Sequence, residues 1–283
     1  MKIYIDGKYY EKENAKISVF DHGLLYGDGI FEGIRIYNGK IFKLKEHIKR
    51  LYKSAKGILL EMPMKEEELE SEVIKAVKLN DKKDGYIRLV VTRGEGNLGI
   101  DPAKCEKASI IIIVADLKMY PEEYYKNGIE IITSSTHRVS PTAFDPRIKS
   151  LNYLNNVLAK IEAKQAGVLE SIMLNNDGYV VECTADNIFI IANGELLTPA
   201  SYIGALDGIT KETIIKISNL LGIPTKETLL TKYDLYNADE CFLSGTGAEV
   251  IPVIKIDGRI IGEGKPGKLT MKILADFRRI IKE

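Results

Sequence analysis

Lys149 is the first residue in this chain whose surroundings suggest chemistry. It precedes the run "SLNYLNNVLAKIEAKQAG", where Leu151, Leu154, Leu158, Ile161 and Gln165 recur at three- and four-residue steps beside Val157 and Ala166. That spacing predicts a helix with one apolar stripe. Ser150 or Asn152 can cap its start through a side-chain oxygen, and Gly167 suits its C-terminal end. Lys149 would then stand just before the positive end of the helix dipole, where the field favours a neutral amine. A neutral amine is the form that attacks a carbonyl to make an imine. On this stretch alone a solvated surface lysine is the simpler reading, so residues elsewhere must decide.

Other positions offer complementary chemistry. Glu182 ends the strand "YVVE"; it is either a solvated strand end or a partner for a protonated pyridine nitrogen. "GIT", residues 208–210, opens a helix whose unpaired N–H groups make an anion site, and a plain N-cap by Thr210 explains it as well. "SGTG", residues 244–247, follows the strand "CFL", and its glycines permit a backbone nest for an anion. Arg50 lies on an early helix, where most arginines are solvated. Together these supply a lysine, an acidic partner, two backbone anion cups and an arginine for a phosphate. "GEGNLG", residues 94–99, matches a dinucleotide fingerprint, with Asp116 near the spacing of a ribose contact. That motif must open a helix, whereas here Pro102 and a few more residues lead to the next strand. A parallel crossover needs about a dozen residues or more, so a glycine-rich loop between antiparallel strands is expected.

Composition narrows the partners. At 283 residues the chain suits two α/β domains, and 45% hydrophobic with 28% charged residues is ordinary globular composition. Lys+Arg and Asp+Glu balance at 40 each, which favours neither nucleic acid nor an anionic membrane as partner. The longest apolar run, "ASIIIIVA", is strand-sized rather than bilayer-sized. The opening "MKIYIDGKYYEKE" reads as a strand pair rather than a secretion signal. Cys105, Cys183 and Cys241 are scattered and the three histidines dispersed, so no metal site is expected and a reduced cytoplasm is. Gln165 is the only glutamine while Lys, Glu and Ile abound, from thermophilic adaptation or genome composition.

The elements that must position these residues follow from turns and periodicity. Asp6-Gly7, Asn38-Gly39, Asp177-Gly178 and Asn193-Gly194 mark hairpins. "KEHIKRLYKSAKGI" predicts a helix with Ile48, Leu51 and Ala55 on one face, and "KEEELESEVIKAVKLN" a second. "TKETIIKISNLLGI" predicts a helix with Ile214, Ile217, Leu220 and Leu221 inward, and "LTMKILADFRRIIKE" another. "LKMYPEEYYKNG", polar and broken by Pro121, is the expected linker. Hairpins outnumber βαβ units, which argues for two α/β domains with mostly antiparallel sheets rather than a Rossmann fold. The expected division is a smaller domain over residues 1–118, a linker over 119–128 and a larger domain over 129–283 that carries Lys149.

The ordered motifs "DHGLLYGDGIFEGIRIYNG", "HIKRL", "YIRLVVTRG", "KSLNYLNNVLAK", "VVECTADNIFI", "GITKET" and "FLSGTGAEVIPV" cover nearly the whole chain. In this order the chain resembles the fold-type IV pyridoxal phosphate enzymes, most closely the branched-chain aminotransferases. The resemblance implies an α+β architecture like that of D-amino acid aminotransferase and pyridoxal 5'-phosphate as cofactor. It implies that Lys149 forms the internal aldimine and shuttles the substrate's α-proton. Glu182 would hold the pyridine nitrogen protonated. Arg50, Ile209, Thr210 and Thr246 would hold the phosphate, Leu206 would pack on the ring, and Tyr153 would bond near the ring oxygen.

Strand alternation places Phe31, Gly33 and Arg35 on one face, and Tyr86 with Arg88 on one face of another strand. The resemblance implies that these residues and Tyr26 line the substrate pocket, with Thr246 and Gly247 binding the α-carboxylate. Phe31 would shape an apolar side-chain pocket, and Tyr26 and Arg88 would accept the distal carboxylate of glutamate. D-amino acid aminotransferases carry an arginine and a histidine as a carboxylate trap where this chain has Leu98 and Ile100. Aminodeoxychorismate lyases usually lack "FEGIR" and "YIRLVVTRGEG", present here. The expected activity is therefore transfer of the amino group of L-leucine, L-isoleucine or L-valine to 2-oxoglutarate by ping-pong kinetics, in branched-chain amino acid biosynthesis. D- or mixed specificity is the alternative, and lyase activity comes after it. Cys183 replaces the family's usual glycine and Gly247 its usual alanine, and "RIKSLNYL" is close to the D-enzyme version. The family places the cofactor near a dimer interface, so at least a homodimer is expected.

Overall fold

A computed structural model describes residues 1–117 and 120–282. It divides into one unit of Met1–Lys118 with Ile148–Asn152 and a second of Met119–Arg147 with Tyr153–Glu283.

The first unit runs β1 (Lys2–Ile5), β2 (Lys8–Glu11), α1 (His22–Tyr26), β3 (Gly29–Tyr37), β4 (Lys40–Ile41), α2 (Leu44–Gly57), α3 (Glu66–Leu79), β5 (Gly85–Thr92) and β6 (Ser109–Ala115). Its sheet has the order β2-β1-β6-β5-β3-β4, antiparallel at every pairing. Asp6-Gly7 and Asn38-Gly39 both adopt left-handed backbone, the geometry of a two-residue hairpin turn that matches strand twist. Ile48, Leu51 and Ala55 of α2, with Leu69, Val73 and Ala76 of α3, pack on Ile30, Ile34 and Ile36 of β3 and on Ile87 and Leu89 of β5. Even positions of β3 thus build the core, and odd positions face the other way. β3 is buried along its whole length on both faces. The loop carrying "GEGNLG" joins antiparallel β5 and β6 and contains one 3₁₀ turn, Pro102–Lys104, so no α-helix follows the motif.

Residues 148–152 depart from the expected helix. Ser150 bridges Ile30 of β3, the Phe31 N–H donates to the Lys149 carbonyl (2.9 Å), and the Leu151 N–H donates to the Gly29 carbonyl (2.9 Å). The Lys149 N–H donates to Ser54 Oγ of α2 (3.2 Å). Strand pairing has outcompeted the helical period here. Lys149 therefore belongs to the first unit rather than to the domain that follows residue 129.

The second unit runs α4 (Glu122–Asn127), β7 (Ile129–Thr133), α5 (Leu154–Gln165), β8 (Glu170–Leu174), β9 (Val180–Cys183), β10 (Asn187–Ala192), β11 (Glu195–Pro199), α6 (Ile209–Leu220), β12 (Thr225–Thr228), α7 (Lys232–Tyr236), β13 (Glu240–Gly245), β14 (Glu249–Ile256), β15 (Arg259–Ile260) and α8 (Lys268–Ile280). Its sheet order is β12-β11-β10-β13-β14-β7-β8-β9, with β15 on β14. β7 runs parallel to β14 and β8, and β11 parallel to β12; the other pairings are antiparallel. No helix among the described residues is long and apolar enough to cross a membrane.

Three expectations need correcting in this unit. The linker region holds α4, because Pro121 fits a helix start. Tyr125 of α4 is buried under the guanidinium of Arg278. Lys118 and Met119 lie outside the described residues. α5 starts at Leu154, without a side-chain cap from Ser150 or Asn152, and buries Asn156, Ala159 and Ala163 against β8. Its apolar stripe points outward, with Leu154 70% exposed. Small residues on the inner face let the helix lie close to the sheet, and Ser171 Oγ of β8 donates to the Ala159 carbonyl (2.8 Å). α6 buries Ile214 and Ile217, but Leu220 is 86% exposed, because it falls outside the face on which Ile214, Ile217 and Ser218 are buried.

Candidate functional site

In the first unit the sheet register assembles one group. Arg35 lies opposite Tyr86, Gly33 opposite Arg88, and Phe31 opposite Val90, so their side chains share a face. The Arg88 guanidinium stacks over the Phe31 ring (4.6 Å) and near the Tyr86 ring (5.4 Å). Lys149 Nζ lies 4.7 Å from the centre of the same Phe31 ring. Gly33 is required, because the Tyr86 hydroxyl occupies the space a Cβ would fill. Phe31, Gly33, Tyr86, Arg88 and Lys149 are thus brought together, while Arg35 stacks on Tyr37 (4.7 Å) at the strand's end. Tyr26 belongs to another local arrangement: on α1 its ring meets His22 edge-on, and its hydroxyl accepts from the Gly99 N–H (2.8 Å). Leu98 and Ile100 are exposed on that loop.

Arg50 is held on the core side of β3. Its Nε donates to Glu32 Oε1 and its Nη2 to Glu32 Oε2, both at 2.7 Å, a side-on bidentate pair. His47, one turn earlier on α2, lies with Nδ1 2.7 Å from Glu32 Oε2. Glu32 is fully buried. Burial pushes its carboxyl up, but the Arg50 guanidinium and the His47 hydrogen bond outweigh that and hold it at about 2. Glu32 is therefore an anion that can only accept, so His47 donates Nδ1–H. Burial, helped by the nearby charges of Arg50 and Lys149, pushes His47 below its ordinary range despite Glu32. The imidazole is neutral at pH 7.

In the second unit Glu182 is buried on β9. Its Oε2 accepts from the Leu206 N–H (2.9 Å), and its Oε1 lies 2.9 Å from Arg138 Nε, close as charges but not aligned as a hydrogen bond. Arg138 Nη1 donates to Asn156 Oδ1 of α5 (2.9 Å), and Asn156 donates to the Thr184 carbonyl (2.8 Å). Asn187 Nδ2 donates to the Leu206 carbonyl (3.1 Å), so Leu206 is fixed through both its peptide groups. Tyr153 is the residue from which α5 starts.

α6 begins at Ile209 with Gly208, not Thr210, at its N-cap, and no side chain caps it. Asn187 Oδ1 approaches Gly208 so closely that no Cβ would fit. Lys211, buried in the first turn, donates to the Pro199 carbonyl (3.0 Å) and to Ser201 Oγ (3.3 Å). Thr246 and Gly247 form the turn joining β13 to β14. Gly245 is needed where Asp186 presses on the backbone, and the left-handed residue beside this turn is Glu249 (φ 57°), the first residue of β14, not a glycine. Cys183 is buried, and burial with the neighbouring carboxylates raises its thiol far above the ordinary range, which leaves it protonated and unreactive.

Glu32, His47, Ser54, Arg138, Asn156 and Asn187 had no signal in the sequence strong enough to single them out. Chemically, the first unit offers an amine and the Arg88 guanidinium over one aromatic ring, and a clamped guanidinium, Arg50, on the core side of β3. The second offers a gripped carboxylate and a bare helix N-terminus, which fits an anion such as a phosphate. Among the described residues no group of three or more His, Cys, Asp or Glu could hold a metal ion.

Residues 29–256 match the family model for amino-transferase class IV. A putative branched-chain-amino-acid aminotransferase of Methanocaldococcus jannaschii is 50% identical over 280 residues, covering 99% of this chain and 96% of that protein. The crystal structure of the Escherichia coli branched-chain amino acid aminotransferase superposes with a TM-score of 0.96 at 34% identity, covering 99% of this chain and 94% of that one. A T.th. branched-chain amino acid aminotransferase complexed with N-(5'-phosphopyridoxyl)-L-glutamate gives a TM-score of 0.94 at 35% identity, covering 99% of this chain and 93% of that one.

Proposed function

Because this chain belongs to the class IV aminotransferases, we propose that it transfers the amino group between L-leucine, L-isoleucine or L-valine and 2-oxoglutarate. Pyridoxal 5'-phosphate would be the cofactor, as the phosphopyridoxyl-L-glutamate complex of the T.th. relative suggests. The observation that carries the reading is the juxtaposition of Lys149 Nζ with the Phe31 ring, flanked by Arg88 and Tyr86.

When bound, the cofactor supplies an electron sink for the substrate's α-carbon. Lys149 would attach to it through Nζ and carry the α-proton during turnover. Its peptide, pinned at the carbonyl by Phe31 and at the N–H by Ser54, fixes the point from which that side chain starts. Glu182, steadied by Arg138 and the Leu206 N–H, would keep a proton on the pyridine nitrogen. Arg50, the N–H groups of Ile209 and Thr210 at uncapped α6, and Thr246 would hold the phosphate. Leu206 would press on the ring, and Tyr153 would bond near the ring oxygen. Phe31, Gly33, Arg35, Tyr86, Arg88 and Tyr26 would receive the side chain, with Thr246 and Gly247 at the α-carboxylate. Amino acid and keto acid would use the same groups in turn, which requires ping-pong kinetics. This role belongs to amino-acid biosynthesis in a reducing cytoplasm, where Cys105, Cys183 and Cys241 stay as free thiols. At least a homodimer is part of this proposal, and the uncovered stripe of Leu154, Val157, Leu158 and Ile161 on α5 supports it; light scattering on the purified protein checks it.

The test is the visible spectrum of the protein loaded with pyridoxal phosphate. L-Leucine should abolish the yellow band and D-alanine should leave it. Loss of the band with D-alanine alone would keep the cofactor and overturn the substrate assignment. No yellow band at all would remove Lys149 from its role.

A further inference from the structure

Glu32 is a charged residue on the core face of a central strand, among Ile30, Ile34 and Ile36. Burying a carboxylate there is costly unless it is fully paired. It takes two bonds from Arg50 and a third from His47, all at 2.7 Å. A buried ion cluster that served packing alone could be replaced as a whole by apolar side chains of similar volume without loss of stability. The arrangement does something an apolar residue cannot: it fixes the plane of a guanidinium. An arginine carries about 2 kcal/mol of rotamer entropy, and clamping the fork removes that cost before an anion arrives. His47, neutral and donating from Nδ1, in turn fixes the rotation of the carboxylate. Both His47 and Arg50 stand on α2, whose next turn carries Ser54, the residue that holds the Lys149 peptide.

We propose that Glu32 and His47 are positioning residues that pre-orient Arg50 for the cofactor's phosphate. The inference rests on the assignment of Arg50 to that phosphate, and its test separates the two. The full-length protein, freed of cofactor, is titrated with pyridoxal phosphate and with pyridoxal, which lacks the phosphate, and binding is read from absorbance. The informative quantity is the ratio of the two dissociation constants, because a general loss of structure weakens both ligands alike.

Glu32→Gln should weaken pyridoxal phosphate at least tenfold and leave pyridoxal within about twofold. His47→Leu should act in the same direction more weakly. His47→Asn, whose side-chain amide can replace Nδ1–H, should restore the wild-type ratio. If Glu32→Gln does not fold, the two His47 variants carry the test alone. Arg50→Met should collapse the ratio. If it does, while Glu32→Gln and His47→Leu leave the ratio unchanged or weaken both ligands equally, the positioning role is overturned and the phosphate role of Arg50 stands. If Arg50→Met itself leaves the ratio unchanged, the assignment of Arg50 to the phosphate is what fails.

Discussion

The two units hold their charged groups by opposite means. In the first, a buried carboxylate, Glu32, grips an arginine in two aligned hydrogen bonds. In the second, a buried arginine, Arg138, braces a carboxylate, Glu182, by charge alone, and the aligned bond comes from the Leu206 peptide. The guanidinium in the first case is rigid because both ends of its partner are occupied. The carboxylate in the second is fixed by backbone and only neutralised by its counter-ion. A side-chain clamp costs buried charge, whereas a peptide clamp depends on how the chain runs past the site. The two pairs should therefore answer differently to substitution.

The largest effect falls on the lysine, which neither clamp can replace. Lys149→Ala is expected to abolish transamination in an L-leucine and 2-oxoglutarate assay while leaving urea unfolding close to wild type. Next come the clamps. Replacing one member of a buried pair typically costs about 3–5 kcal/mol. Glu32→Leu should reach that range in urea unfolding, since it strands both Arg50 and His47. Arg138→Leu should cost less, because Leu206 continues to hold Glu182; equal losses would erase the distinction between the two clamps.

Acid sharpens the same contrast. Glu32 is depressed in the folded protein from an ordinary value of 4.5 to about 2, so its contribution is present above pH 4.5 and is lost as pH falls toward 2. The shift corresponds to about 3 kcal/mol. His47 is also depressed, so the unfolded chain takes up a proton near its ordinary 6.5 that the folded chain refuses, and stability declines below that pH as well. Urea midpoints measured from pH 7 to pH 3 should fall more steeply in the wild type than in Glu32→Gln. The smallest effect is expected from Ser54→Ala, which removes one hydrogen bond to the Lys149 peptide and should cost about 1 kcal/mol in the same assay.

Local chemistry made much of this fold legible. Asp6-Gly7, Asn38-Gly39 and Asn193-Gly194 turn as expected, because a left-handed pair of residues needs nothing beyond itself. The shared face of Phe31, Gly33 and Arg35 follows from the two-residue period of a strand. Other features depended on partners far along the chain. Leu151 continues the helical period and Ser150 suits its cap, yet they pair with Gly29 and Ile30, about 120 positions earlier. Glu32 shares its strand face with Ile30, Ile34 and Ile36, but nothing local shows that His47 and Arg50 of α2 meet it there. Arg138, in "THRVSP", has no sequence feature linking it to Glu182. The stripe on α5 was legible as a stripe, but its direction was not, because Asn156, Ala159 and Ala163 decide which side meets the sheet.

Residues 148–152 have a consequence for how the protein is made. The first unit is discontinuous: its main segment ends at Lys118, and its last strand-like piece arrives with Ile148–Asn152. Until that piece leaves the ribosome, the edge of β3 at Gly29 and Phe31 lacks the partners it has in the finished fold. An open strand edge is a template for pairing with other chains. The nascent first unit therefore passes through an interval of about thirty residues of synthesis with that edge uncovered, lasting seconds at ordinary elongation rates. The segment bearing Lys149 closes the interval, so the same few residues complete the sheet and set the lysine beside Phe31.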